Sequence, residues 1–348
     1  MKVLGIISGL TDPSSRARIL QYRSYLEKEQ IKVDPRYFSP HSYADPAPWA
    51  YRLNKVTKIS PWRFLWMQKT ISRLPLLLQQ YQYDLIWQNR LILPHQFFFE
   101  RKITKPIVFD FDDAIWLGEG EKQVIQAMER AALIFAGNDY LAEFAIKHNP
   151  NTVVIPSVID TTALYPLPPN NKFFTIGWIG TKTNFNFLAL VKPAVLNFLS
   201  RHHDSRLLIV SSEKPPQFDF DNERIIFKKW SAEKENELIN EFSIGLMPLE
   251  DNDFTRGKCS YKMLQYMACS RPVVVSPVGN NSSILHKKEV GLAARGEEDW
   301  LKAFTLLKND VAYYRTCAEN GRNLVVENYS VEKFYPVIAR HFTELTAR

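Results

Sequence analysis

"GLMPLEDNDFTRGKCSYKMLQYMACSRPVVVSPVGNN", Gly245 to Asn281, reads as one strand–helix–strand unit. An apolar run ends at Pro248 and Leu249, and a polar loop follows. A helix opens between Lys258 and Ser260. A second apolar run, "PVVVSPV", then closes on a Gly279-Asn280 turn. A helix N-terminus presents backbone N–H groups and the positive end of the helix dipole, a natural place for an anion. Lys258 and Lys262 are four residues apart and should share a helix face, with Arg256 just before them. Cations crowded there oppose the dipole unless a phosphate lies between. The plainer reading is a solvated basic helix end.

The same alternation extends in both directions. "VLGIIS", "YDLIWQ", "PIVFDF", "ALIFAG" and "TVVIPS" read as buried parallel strands in the first half. "FFTIGWIG", "RLLIVSS", "RIIFKK", "IGLMPL", "PVVVSPV" and "GLAARG" repeat the pattern in the second. Between the blocks, "LYPLPPNNK" (164–172) carries three prolines and two asparagines, a linker composition. Two blocks of strand–helix alternation predict two doubly wound α/β domains, 1–163 and 173–325. A final helix, 326–348, should pack back on the first domain. Ligands of such sheets bind at the carboxyl ends of the strands, so the expected site is a cleft that the two domains face.

The bulk numbers agree with this organisation. A chain of 348 residues is long for one core, and 45% hydrophobic with 23% charged residues is ordinary for a globular protein. Cys259, Cys269 and Cys317 are far apart, which argues against a disulfide framework or a zinc cluster and suits a reducing, cytoplasmic setting. The start, "MKVLGIISGLTDP", reads as a first strand and not as a signal peptide, and no run approaches the ~18 apolar residues of a membrane span.

At this level the chain resembles the GT-B glycosyltransferases, family 4 in particular. "QYMACSRPVVVSPVG" follows that family's donor motif. "GWIGTKTNFNFL" is similar to its first donor-domain loop, and "NTVVIPSVIDTTALYP" to its passage between domains. The resemblance implies two Rossmann-like domains and a nucleotide-sugar-dependent, hexosyl- or related transferase, retaining and metal-independent. It implies a glycan or lipid-linked acceptor and work in bacterial polysaccharide or glycolipid assembly. Two family glutamates are replaced, by Gly257 and Gln265, and Thr181 and Lys182 stand in the region of the usual Arg/Lys pair. The implied donor contacts are therefore Gly180, Thr181, Lys182, Arg256, Ser260 and Gln265, with the diphosphate charge met by Lys182, Lys258 and Lys262. No cofactor is implied. The replaced glutamates motivate an alternative from another class, a catalytically silent nucleotide-sugar-binding or scaffold subunit.

"IVFDFDD", Ile107 to Asp113, ends a buried strand in three carboxylates. The resemblance puts Asp112 at the donor sugar or reacting centre, so the implied catalytic set is Asp112, Lys258 and Lys262. The plain readings are a buried structural Asp110 and a helix cap by Asp113. A haloacid-dehalogenase-type phosphatase built on Asp110 and Asp112 is the remaining competitor. "SGLTDPSSRARI" after the first strand offers Gly9, Arg16 and Arg18 to an acceptor, and Asn138 ends another strand.

Residues 46–83 contain no acid but include Arg52, Lys55, Lys58, Arg63, Lys69 and Arg73, interleaved with Trp49, Trp62, Phe64 and Trp66. Such a stretch suits an anionic membrane surface. It equally suits a buried helix face through Trp62, Leu65 and Trp66. Nothing accompanies it that marks a nucleic-acid binder.

Overall fold

Every apolar run named above becomes a parallel strand in the computed structural model, which describes residues 1–39, 46–168 and 172–347. The first sheet holds β1 (Lys2–Ile6), β2 (Lys32–Arg36), β3 (Leu85–Asn89), β4 (Ile107–Phe111), β5 (Leu133–Ala136) and β6 (Thr152–Val154), in the order β2-β1-β3-β4-β5-β6. The second holds β7 (Phe174–Ile179), β8 (Ser205–Ser211), β9 (Ile225–Lys229), β10 (Ile244–Met247), β11 (Val273–Val275) and β12 (Gly291–Ala293), in the order β12-β11-β10-β7-β8-β9. Helices connect the consecutive strands of each sheet except β8 and β9, which residues 212–224 join without one. Strand β2, "KVDPR", had no counterpart in the sequence reading. It is an edge strand in which Val33 is buried, and the edge tolerates Pro35, which has no N–H to donate.

Two units divide the chain: Met1–Pro156 with Phe334–Arg348, and Ser157–Lys333. Both boundaries differ from the expected 1–163 and 173–325. Backbone bonding gives the reason. The Ile159 N–H donates to Tyr329 O (2.8 Å), and the Val331 N–H donates to Ile159 O (3.0 Å), so 157–163 and 326–333 hold each other within the second unit. The expected linker 164–172 also starts as part of that unit. Tyr165 and Leu167 donate to the side chains of Asn236 and Asn240, and Arg322 binds Leu164 O. Residues 169–171 lie outside the described residues.

Order reversal fixes where each sheet can bind a ligand. In the second sheet, β8 and β9 run outward on one side of β7, and β10, β11 and β12 on the other. Connections therefore diverge between β7 and β10 and leave a crevice at the strand carboxyl ends. The first sheet reverses between β1 and β3 in the same way.

The last helix, Val331–Thr346, gives the first unit its closing aromatic layer. The Phe342 ring lies 5.2 Å from Trp87 and 6.2 Å from Phe135, and Tyr335 lies 5.5 Å from Tyr25. Phe342 is fully buried. Replacing it with Ala should cost about 3–5 kcal/mol and lower the melting of this unit by on the order of 10 °C. Calorimetry on wild type and Phe342→Ala reads this directly, and an unchanged transition would refute the packing.

Candidate functional site

In the second unit the switch point is built from the turn after β7 and the loop after β10. Tyr266, from the helix Tyr261–Ala268, ties the two strands together. Its hydroxyl accepts from the Ile179 N–H and donates to Leu246 O, each at 3.1 Å. Burial pushes this phenol well up, so it stays neutral. Beyond β7 the chain turns at Gly180, where a Cβ would lie 2.5 Å from Trp178 and 2.9 Å from Lys262 Cε. Glycine leaves room there for the buried Trp178 ring and for the lysine stem beside it. The Lys262 ammonium sits 5.8 Å from the Trp178 ring centroid, and that of Lys258 sits 4.7 Å from Phe254 and 6.0 Å from Phe187.

The helix itself opens at Tyr261, so Lys258 lies in the preceding loop and does not share a helix face with Lys262. Ser260 is the N-cap residue in a left-handed conformation (φ 57°), which costs a non-glycine residue roughly 1–2 kcal/mol. Its side chain does not cap the helix. The hydroxyl instead donates to Asn281 Oδ1 (2.7 Å) and accepts from Asn280 Nδ2 (3.2 Å). Gly279 (φ 52°) presses against the backbone of Arg256, where a Cβ would meet the carbonyl oxygen at 2.5 Å. The "SPVGNN" turn is thus the clamp that holds the loop ahead of the helix.

Other residues expected on the donor side have local employment. The Thr181 hydroxyl bonds those of Thr183 and the Asn184 amide, which fixes the turn. Lys182 is half exposed and lies 3.7 Å from Glu213, a surface pair worth about 0–1 kcal/mol. Arg256 binds Asp251 (2.7 Å) and Asp253 (3.3 Å), so acids of its own loop answer its charge. Gln265 is 4% exposed. Lys258 and Lys262 are thus the cations that the fold sets at the Gly180 turn and the helix start.

In the first unit the carboxylates of "IVFDFDD" separate into distinct roles. Asp110 is fully buried and accepts from Arg18 Nε at 2.6 Å and from Trp87 Nε1 at 2.9 Å. Arg18 also binds Ile155 O. Burial pushes the Asp110 carboxyl up to about 6, against the downward pull of Arg18 and the Trp87 N–H. This corrects two expectations: Arg18 is a structural partner and not an acceptor ligand, and Asp110 cannot serve as a phosphatase nucleophile. Asn138 is likewise a helix cap. Its Oδ1 accepts from the Leu141 N–H (2.9 Å), and the residue is 6% exposed. Gly9 lies buried in the loop after β1, and Arg16 is half-buried on the helix Pro13–Arg18.

Asp112 and Asp113 gather around a residue the sequence reading missed. Arg90 follows β3 directly, in a left-handed conformation (φ 62°) that its own N–H to Asp110 O (2.9 Å) helps to hold. Its Nη2 lies 2.6 Å from Asp113 and 3.1 Å from Asp112, and its Nη1 lies 3.6 Å from Glu119. Asp113 is therefore an ion-pair partner and not the expected side-chain cap. Burial works against the guanidinium's charge, but Asp113, Asp112, Glu119 and Asp12 outweigh it and raise the group further. Burial also raises Glu119 and Asp12, against the pull of Arg90. From the β1 side, the Ser14 hydroxyl donates to Asp112 at 2.6 Å. An arginine at the end of "YDLIWQN" was the one available sequence signal, and its position after the third strand of the sheet gives it meaning.

These two switch points define a GT-B glycosyltransferase fold. Residues 171–310 match the family model described as glycosyl transferases group 1, so the second unit carries the group 1 glycosyl transferase domain. Solved structures similar to the whole chain include Anabaena Alr3699/HepE in complex with UDP and glucose (14% identity, TM-score 0.69, 99% of this chain and 100% of that one). They also include the sucrose-phosphate synthase of Thermosynechococcus elongatus (16% identity, TM-score 0.72, 100% of both chains). The S. aureus TarM variant complexed with fondaparinux, alpha-GlcNAc-glycerol and UDP is similar over 76% of this chain and 55% of that one (13% identity, TM-score 0.58). No curated protein sequence matches.

The division of labour among the carboxylates can be measured. Asp110→Asn leaves Arg18 as an uncompensated buried charge and should cost about 3–5 kcal/mol in urea unfolding. Asp112→Asn, at a partly exposed pair, should cost less than half of that. Equal losses would contradict the assignment.

Proposed function

We propose that the protein transfers a sugar from a nucleoside diphosphate sugar to a glycan or lipid-linked acceptor, with retention and without a metal, in bacterial polysaccharide or glycolipid synthesis. The observation that carries this reading is Lys262 laid over Gly180 at the β7/β10 switch point, with Lys258 beside the start of the helix Tyr261–Ala268. Departure of the diphosphate develops negative charge. Two ammonium groups and a helix N-terminus placed beforehand stabilise that charge more in the transition state than in the ground state. The group 1 match over the same residues, and the UDP bound to the HepE relative, support a nucleotide-sugar donor. Asp112 acts at the reacting centre, and Gly9 and Arg16 remain on the acceptor side. Metal independence draws support from Arg90, whose guanidinium fills the space among Asp112, Asp113 and Glu119 that a divalent cation would need. The test is transfer and donor hydrolysis in EDTA across a panel of nucleoside diphosphate sugars. Lys262→Ala or Lys258→Ala should each lower transfer ten- to a thousand-fold, about 1.4–4 kcal/mol. Unchanged kinetics in both variants, or activity restored by magnesium or manganese, would overturn the reading. Tight nucleotide binding without turnover would favour a silent binding subunit instead.

The acceptor side favours a cytoplasmic protein docked on an anionic membrane surface. The helices Pro48–Thr57 and Pro61–Arg73 leave Trp49, Trp62 and Trp66 exposed at 42%, 57% and 43%, which removes the expected burial of Trp62 and Trp66; of the expected face Trp62, Leu65 and Trp66, Leu65 alone is buried. Arg52, Lys55, Lys58 and Arg63 are exposed beside them. Arg73 is not part of this surface, because its buried guanidinium binds Ile7 O and Arg36 O. Among the described residues no helix is long and apolar enough to cross a membrane. Each basic residue near anionic headgroups contributes about 1 kcal/mol, weakening as salt rises. Wild type should sediment with anionic vesicles in a salt-sensitive manner, and Lys55→Glu, Arg63→Glu should not. Equal sedimentation of the two would remove the membrane from the account.

A further inference from the structure

We infer that Arg90 is a positioning residue for the transfer reaction and acts through Asp112; this rests on the reading of Asp112 at the reacting centre. Asp112 is held from two sides of the β1/β3 switch point. Ser14, on the helix after β1, donates to Oδ1 at 2.6 Å, and Arg90, directly after β3, donates to the same oxygen at 3.1 Å. Both donors converge on one oxygen, so they fix the side-chain torsion of Asp112 and turn its carboxylate in one direction. The same guanidinium binds Asp113 at 2.6 Å and reaches Glu119, so a single cation holds three carboxylates together in a confined space. Without it, Asp112 and Asp113 would repel and rotate away.

The backbone points to the same conclusion. Arg90 occupies a left-handed conformation that a residue with a side chain rarely adopts, at the end of the central strand of the switch point. An arginine kept there places its fork over the strand ends, where the planar donor pair can serve two carboxylates at once. A lysine offers a point charge in its place.

The experiment is a kinetic cycle on the full chain with Arg90→Gln, Asp112→Asn and the double variant, with melting temperatures measured alongside. Arg90→Gln should lower kcat about ten- to a hundred-fold while the donor KM stays within about threefold. The double variant should be no slower than Asp112→Asn alone, because the two residues act as one unit. Arg90→Lys should recover only part of the loss, and it carries the test if Arg90→Gln does not fold; full wild-type kcat in that variant would overturn the inference. Multiplying losses in the double variant, or a change confined to KM, would also overturn it while leaving the donor-site reading intact. A wild type inactive on every donor tested would overturn both.

Discussion

Parallel strands cannot be joined by tight turns, and this constraint shapes both units of the molecule. Each strand must be followed by a long crossover, here a helix in all but one case within the sheets, that returns to the starting edge, so loops gather at the strand carboxyl ends. Where strand order reverses, two such loops part and leave a crevice floored by backbone. In the second unit this crevice receives Gly180 and Lys262. In the first it receives Ser14, Arg90 and Asp112. The chemistry of each site follows from which side chains the diverging loops and the neighbouring strand end happen to carry.

The sites differ in how they manage charge. At the β7/β10 end the fold brings Lys258 and Lys262 to a helix start, against the preference of the helix dipole. Aromatic faces of Trp178, Phe187 and Phe254 lie close to the ammonium groups and ease that cost. At the β1/β3 end the excess is negative, and one guanidinium holds it together. Below that layer, the Arg18–Asp110 pair is sealed from water and joins the first helix to β4. Breaking it threatens the fold, whereas Asp112 above it belongs to a partly exposed ion pair whose loss costs the fold less.

Periodicity made the strands readable, since runs such as "VLGIIS" and "PVVVSPV" are buried on both faces and announce themselves by composition. Strand β2 escaped because an edge strand with Pro35 and three charged residues lacks that signal. The strand–helix–strand unit of 245–281 was legible because its residues are close in sequence. The cluster at the β1/β3 switch point was not, since Asp12, Ser14, Arg90 and Asp112 come from three separated segments, and only sheet order brings them together. Arg18 misled for a related reason: a helix arginine looks solvated until its carboxylate partner, 92 residues away, is known. The tryptophans of 46–83 suited either burial or exposure, and helix orientation decided for exposure.

The central claim is that the switch point of the second unit holds a diphosphate. A crystal structure of the protein soaked with a nucleoside diphosphate tests it without reference to sugar or acceptor. The account predicts phosphate oxygens about 3 Å from the Lys262 ammonium and beside the first turn of the helix Tyr261–Ala268. A diphosphate bound elsewhere, with Lys262 unmoved over Trp178, would contradict it.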